Sequence, residues 1–474
     1  MFKLFSDKGF WQNAARLALP VAIQNMLLGS FILADTLLVS QLGDISLAAV
    51  GMSGQWSWLM NMICYGICSA TSVFVSQYWG IKDKDKIHTT MGIAVSLALS
   101  VGMVFFLFSF AFPHRVMHMF NSNADIIKNG TDYLRIAAFS YPPIALTNIL
   151  SAVLRSTEKV RLPMYVSAVS TVLNIALDYC MIFGKFGFAR MEIKGAALAT
   201  AVSAWVGFVL LLVISFAEKN IIIAKLSEVF RITPQDIKYY FRKAIPVILN
   251  ETLWGGGTFV FNLIFSNMGY EYYASITILK TFENLAYVFF IGLCSACSVM
   301  IGKSVGRGLI SRGVDDSKRF LILVPIYAVV LGGLSIIFRS QLVSIFDMGN
   351  NISELTISTA KTIMVIYSIE LPARTLCFTF IVGILRSGGD TVTAARYDLS
   401  SLWLVSLPIT LITAYVIKAP FVVCYAVMLV AEDYFKIIMC TRHYVKLRWI
   451  KPVTEEGRQG LKDYIEERQA KKLG

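Results

Sequence analysis

Asn174 and Asp178 stand four residues apart inside Thr171-Val-Leu-Asn-Ile-Ala-Leu-Asp-Tyr179, a stretch that is otherwise largely apolar. Four residues is about one helical turn, so the two side chains share one face. A carboxylate at mid-membrane costs roughly 2.5–3.5 kcal/mol on insertion scales, which makes function the default reading. A second acid, Asp35, lies in the first apolar segment, and Thr200 closes the small-residue run Gly195-Ala-Ala-Leu-Ala-Thr200. Two carboxylates, an amide and a hydroxyl form a set of hard oxygens suited to Na+. They equally form a proton site, since low dielectric and a second nearby acid both favour a neutral carboxyl.

The elements that must position these residues follow from composition. Of 474 residues, 56% are hydrophobic and only 15% charged, too little polar surface for a soluble protein of this size. Twelve continuous apolar stretches, the first near 13–40 and the last near 419–440, approach or exceed the 20 or so helical residues that cross a core of about 30 Å. Continuous rather than alternating runs predict helices, so the expected class is an all-α integral membrane protein with twelve transmembrane helices. A polar stretch at 218–243 predicts a linker between an N-terminal six-helix lobe, 1–217, and a C-terminal one, 244–450. The charged tail, 451–474, reads as a solvated helix. The net charge of +13 is concentrated on one side of the expected topology. That bias puts both termini in the cytoplasm and does not mark a nucleic-acid binder. All eight cysteines fall in or beside apolar stretches and are expected as small packing residues without a metal.

The halves repeat. Gly66 to Gly80 and Gly292 to Gly306 share seven of fifteen positions without a gap, and Pro20 matches Pro246 at the same offset. Leu154-Arg-Ser156 matches Leu385-Arg-Ser387. Both copies enter the membrane in the same sense, the pattern of a parallel repeat whose lobes rock about a central site. The acids do not repeat: Asp35 aligns with Phe261. That asymmetry suggests a division of labour, with ion coupling biased to one lobe. Pro20 lacks an amide proton and is the candidate hinge of the first helix. Gln24 shares a helix face with Asp35. In the second half Glu251, Trp254 and Asn262 lie down one face of the seventh helix, an acid and an aromatic suited to an organic cation. Glu370 and Arg374 are expected to pair with each other, and Glu432 and Asp433 need partners. Arg155 and Arg386 are expected to anchor helix ends.

No P-loop, HExxH or nucleophile elbow is present, so the chain is not expected to be an enzyme, and no cofactor, nucleotide or nucleic acid is expected. Transport would then run on an ion gradient. A lipid-linked oligosaccharide flippase is the alternative, but it should line its cavity with basic residues, and here most of the mid-helix charges singled out are acids. A passive channel fits the two-lobe repeat less well.

Taken together, Pro20 with Asp35, the echoed Gly66–Gly80 and Gly292–Gly306 segments, Leu154-Arg-Ser156, Asn174-x-x-x-Asp178 and Gly195 to Thr200 give the chain a resemblance to the multidrug and toxic compound extrusion (MATE) family, over residues 12 to 445. It resembles the DinF-like branch more than the NorM branch. The resemblance implies two pseudo-symmetric six-helix lobes and antiport of Na+ or H+ against organic, often cationic, compounds. It implies ion-coupling roles for Asp35, Asn174, Asp178 and Thr200, with a bend at Pro20. NorM-like members also use acids on the seventh and tenth helices, but the spacings of Glu251 from Pro246 and of Glu370 from Arg386 depart from that pattern. The expected setting is a monomer in a bacterial cytoplasmic membrane, its partners lipid and small organic substrates.

Overall fold

The computed structural model describes residues 7–120, 123–225, 228, 231–344 and 353–473. Four residues of the expected linker, and Gly474 of the tail, lie outside the described residues. Twelve long helices follow one another: α1 (Lys8–Ser40), α2 (Asp44–Ile81), α3 (Lys84–Ala111), α4 (Ala124–Ser156), α5 (Arg161–Phe183), α6 (Ile193–Ala217), α7 (Pro234–Met268), α8 (Tyr270–Gly306), α9 (Ile310–Ile337), α10 (Glu354–Arg386), α11 (Thr391–Val416) and α12 (Phe421–Val445). A charged helix, α13 (Glu455–Leu473), follows. Among the described residues the one bridge of β type joins Gly389 to Ile450. The chain is an all-α membrane protein.

Ten of the twelve are apolar enough to cross a bilayer by composition alone. The other two, α7 and α12, carry internal charges such as Glu251 and the Glu432, Asp433 and Lys436 group, and these are buried against partners described below. Helix starts follow local chemistry. Asp83, Asn123, Ser353 and Asp390 each accept a hydrogen bond from a backbone amide at the start of α3, α4, α10 and α11. Such caps are worth about 1 kcal/mol each. The sequence repeat has a structural counterpart: short helices at Pro113–His118 and Arg339–Ser344 follow α3 and α9 at the same offset that separates Pro20 from Pro246.

The chain forms two compact units. One comprises Ile23–Val75 and Asp83–Ala244; the other comprises Met1–Ala22, Ser76–Lys82 and Ile245–Gly474. The division crosses α1 at Ala22–Ile23, within one turn of Pro20. Helix α1 continues through that proline.

The tail ends in a largely exposed helix, α13, as expected, but the segment that leads into it is docked. In its unit, Trp449 is fully buried and stacks on Tyr444. The Lys451 amide donates to the Gly388 carbonyl at 2.7 Å, and Thr454 Oγ1 donates to the Gly306 carbonyl at 2.6 Å. Gln77 is completely buried: its Nε2 donates to the Ser387 carbonyl at 2.9 Å and its Oε1 accepts from the Val453 amide at 2.7 Å. A Cβ at Gly306 would fall 2.1 Å from the Gln77 carbonyl oxygen, so only glycine permits this approach. Asp390 receives His443 Nε2 and Lys451 Nζ, each at 2.8 Å. The physical reason is polar satisfaction: the tail supplies donors and acceptors to helix ends whose own backbone groups have run out of partners.

Candidate functional site

In the first unit, α5 and α6 pack closely. A Cβ at Gly195 would lie 2.8 Å from the backbone of Met181, so the small-residue start of α6 brings Thr200 alongside the turn that carries Asp178. A cluster of Val39, Ala49, Tyr133, Ala137, Ile182, Ile193, Ala196 and Ala197 ties together α1, α2, α4, α5 and α6. Burying Val39, Ile182 or Ile193 contributes roughly 1.5–3 kcal/mol each relative to exposure in water.

Beside this cluster lie Asp35, Asn174 and Asp178. Asn174 and Asp178 are 0% exposed. Among the described residues, neither oxygen of Asp178 has a hydrogen-bond partner, and neither polar atom of Asn174 has one. Asp35 Oδ1 is likewise buried and unpartnered. Asp35 and Asp178 lie within electrostatic range of each other. The Tyr133 phenol interacts with both acids and lies within hydrogen-bonding reach of the Thr200 side chain. Buried polar atoms without partners are rare, because desolvation without a hydrogen bond costs several kcal/mol. Four such atoms on one α5 face, with a fifth on α1, form an acceptor-rich cluster. It has the chemistry to hold a proton or a small hard cation.

Of the residues singled out from sequence, Asp35, Asn174, Asp178 and Thr200 thus lie together in one unit. Tyr133 was missed; it sits at the start of an apolar run with no spacing that links it to α5. Gln24 lies elsewhere in that unit, donating through Nε2 to Ser167 Oγ at 3.1 Å. Pro20 is buried within α1.

The second unit treats its charges differently. Glu251 Oε1 accepts from Arg386 Nη1 at 2.5 Å, so its charge is already matched and it is not the free acid expected for an organic cation. Arg386 therefore holds an ion pair rather than only anchoring a helix end. Asn262 accepts from Lys280 Nζ at 3.0 Å, and Trp254 packs against an apolar core. Lys436 Nζ lies 2.6 Å from Asp398 and 3.0 Å from Glu432, and Asn250 Nδ2 donates to Asp398 at 2.9 Å. The expected Glu370–Arg374 pair is not made. Arg374 faces Asp433 at 3.6 Å and Glu283 at 3.9 Å, while Glu370 Oε1 is buried without a partner. The partners that Glu432 and Asp433 were expected to need are Lys436, one turn along the same helix, and Arg374; Asp398 and Glu283 come from other helices, where sequence offers no register.

An all-helical, many-span membrane protein built on a repeated helical plan, with unpaired acids buried in one unit, is the class that this fold and site define. The model of the MatE family matches residues 20–180 and 246–412, once in each half, and the chain belongs to this multidrug and toxic compound extrusion family. Among curated relatives, the chain is 25% identical over 406 residues to the probable multidrug resistance protein NorM of Thermotoga maritima, covering 84% of each chain. Among solved structures, it superposes on a MATE protein in complex with MaL6 with a TM-score of 0.83 at 16% identity, covering 92% of this chain and 96% of that one. A transporter of the MOP superfamily from Pyrococcus furiosus, described by the reverse polarity of its binding pocket, gives 0.82 at 17% identity, covering 93% and 96%. At these identities the structural likeness is one of fold.

Proposed function

We propose that this chain is a secondary antiporter that exports small organic compounds, many of them cationic, across a bacterial cytoplasmic membrane with both termini inside. Na+ or H+ enters at Asp35, Asn174 and Asp178, with Thr200 and Tyr133 completing the oxygen set. The observation that carries this reading is the contrast in pairing. In the second unit all but one of the buried acids described have a basic partner, whereas among the described residues Asp35 and Asp178 have none. A charge without an internal counter-charge is matched by one that comes and goes. Ion binding biases the protein toward whichever access state binds it better, and by no more than that difference in affinity. Pro20, one turn from the change of unit along α1, is the hinge of that response. The probable multidrug resistance protein relative supports the drug-export half of the reading. NorM-like coupling through a second-lobe acid has Glu370 as its remaining free candidate.

The test is ethidium flux in proteoliposomes under an imposed Na+ gradient and, separately, an imposed pH gradient. One gradient is expected to drive flux in the native chain and fail in Asp178→Asn. Undiminished flux in both Asp35→Asn and Asp178→Asn would overturn the site.

A further inference from the structure

The two units carry the same Leu-Arg-Ser turn, yet the structure gives the two arginines different surroundings. Arg386 pairs with the Glu251 carboxylate, and Asp398 is within electrostatic range. Each arginine meets a residue of its own unit that lies about one turn beyond a helix proline: Glu251 follows Pro246 by five residues, and Gln24 follows Pro20 by four. At Arg155 the group met there is neutral. Arg155 Nη1 donates to Gln24 Oε1 at 3.4 Å, and Gln24 is held in turn by Ser167. Its other electrostatic neighbours are Cys68 and Tyr65. Among the described residues no carboxylate pairs with Arg155.

A guanidinium stays charged at every accessible pH and offers five donors. Arg155 lies in the last turn of α4, where the helix dipole favours a cation but supplies no full counter-charge. Arg155 is partly exposed rather than sealed, and Tyr65 beside it is 43% exposed. The group is therefore open to a visitor. One guanidinium with neutral neighbours balances one negative charge, which matches a carboxylate; a phosphate monoester carries closer to two.

We propose that Arg155, supported by Gln24, Ser167 and Tyr65, is an anion-recognition subsite that takes the carboxylate of a zwitterionic organic substrate. The guanidinium fork would hold both carboxylate oxygens. The substrate assignment rests on the export reading above; the subsite itself rests on the missing counter-charge. The consequence is that the chain distinguishes zwitterions from simple cations in the unit that also holds the unpaired acids.

The experiment is equilibrium binding to purified protein in nanodiscs, followed by tryptophan fluorescence, with norfloxacin and its decarboxylated analogue as probes. The native chain is expected to prefer norfloxacin. Arg155→Gln should weaken norfloxacin by about tenfold or more, the size of a lost charge-assisted bond, and leave the analogue within about twofold. Gln24→Glu supplies the carboxylate that the other unit has. It should weaken norfloxacin to a similar degree with the thermal midpoint unchanged or raised. An equal loss for both probes in Arg155→Gln, a native chain without preference, or normal norfloxacin binding in Gln24→Glu would each overturn the proposal. An Arg155-dependent rise in thermal midpoint that follows anionic phospholipid content instead of norfloxacin would reassign the group to a lipid phosphate and overturn the substrate carboxylate. Flux lost under both gradients with this binding pattern intact would count against the antiport reading and leave the subsite standing.

Discussion

Replacing Asp178 with Asn separates a functional carboxylate from a structural one by the sign of its effect on stability. The substitution is nearly isosteric, and the native side chain is 0% exposed with neither oxygen hydrogen-bonded. No ion pair is lost. If Asp178 is ionised, removing its charge relieves a burial cost of roughly 2.5–3.5 kcal/mol on insertion scales; if it is already protonated, the relief is close to zero. The expected change in unfolding free energy is therefore between zero and about 3 kcal/mol in the stabilising direction. A carboxylate held for structure would instead lose about 1–3 kcal/mol as its partners were stranded. The assay is thermal unfolding in detergent, followed by tryptophan fluorescence, across a Na+ series at fixed pH and a pH series without Na+. A coupling ion at tenfold its dissociation constant stabilises the native chain by about 1.4 kcal/mol, and Asp178→Asn should show none of this gain. A mutant destabilised by more than about 1 kcal/mol, or one that keeps the full ion-dependent gain, would refute the argument that these oxygens await an ion.

Lys436→Met should behave in the opposite way. It leaves Asp398 and Glu432 buried without their shared cation and should destabilise by about 3–5 kcal/mol, measured by thermal unfolding, with part recovered when Asp398→Asn is added. Gln77→Ala breaks two buried bonds that hold the tail, so a loss of about 2–4 kcal/mol is expected, together with faster hydrogen exchange at the Val453 amide; unchanged exchange would count against a docked tail. At Asp390, burial raises the carboxyl, but hydrogen bonds from His443, Lys451 and the Thr393 amide and the charge of Lys451 outweigh it and hold the group near about 2, below its ordinary 3.8. The stabilisation is fully present above about pH 4 and is lost as pH falls through about 2. Asp390→Asn should thus cost about 1–2 kcal/mol at neutral pH after allowing for solvent screening, and should flatten the acid limb of a stability–pH curve.

Much of the architecture was legible along the chain. Bilayer thickness and backbone satisfaction leave helices as the solution for long apolar runs, so each expected segment corresponds to one long helix. The echo of Gly66–Gly80 in Gly292–Gly306 announced the repeat, the cost of burying charge singled out Asp35 and Asp178, and helical spacing added Asn174. Pairing was not legible. Glu370 and Arg374 have the spacing of a helical ion pair, yet Arg374 turns to Asp433 and Glu283. Spacing states which side chains share a face; it does not state which other helix that face meets.

The tail shows the same limit. Its composition is that of a solvated helix, and only the folded chain brings Val453 and Thr454 to Gln77 and Gly306. The sequence by itself determined that this is a membrane protein of two repeated halves with costly acids in the first. That follows from one-dimensional quantities: length, hydropathy, spacing and the energy of a charge in lipid. Tertiary structure decided which charges are paired and which stand alone, since an ion pair depends on distances of a few ångströms between helices remote in sequence. That decision separates the paired Glu251–Arg386 from the unpaired Asp178 and Arg155, residues of the same chemical types whose difference lies in what the fold sets beside them.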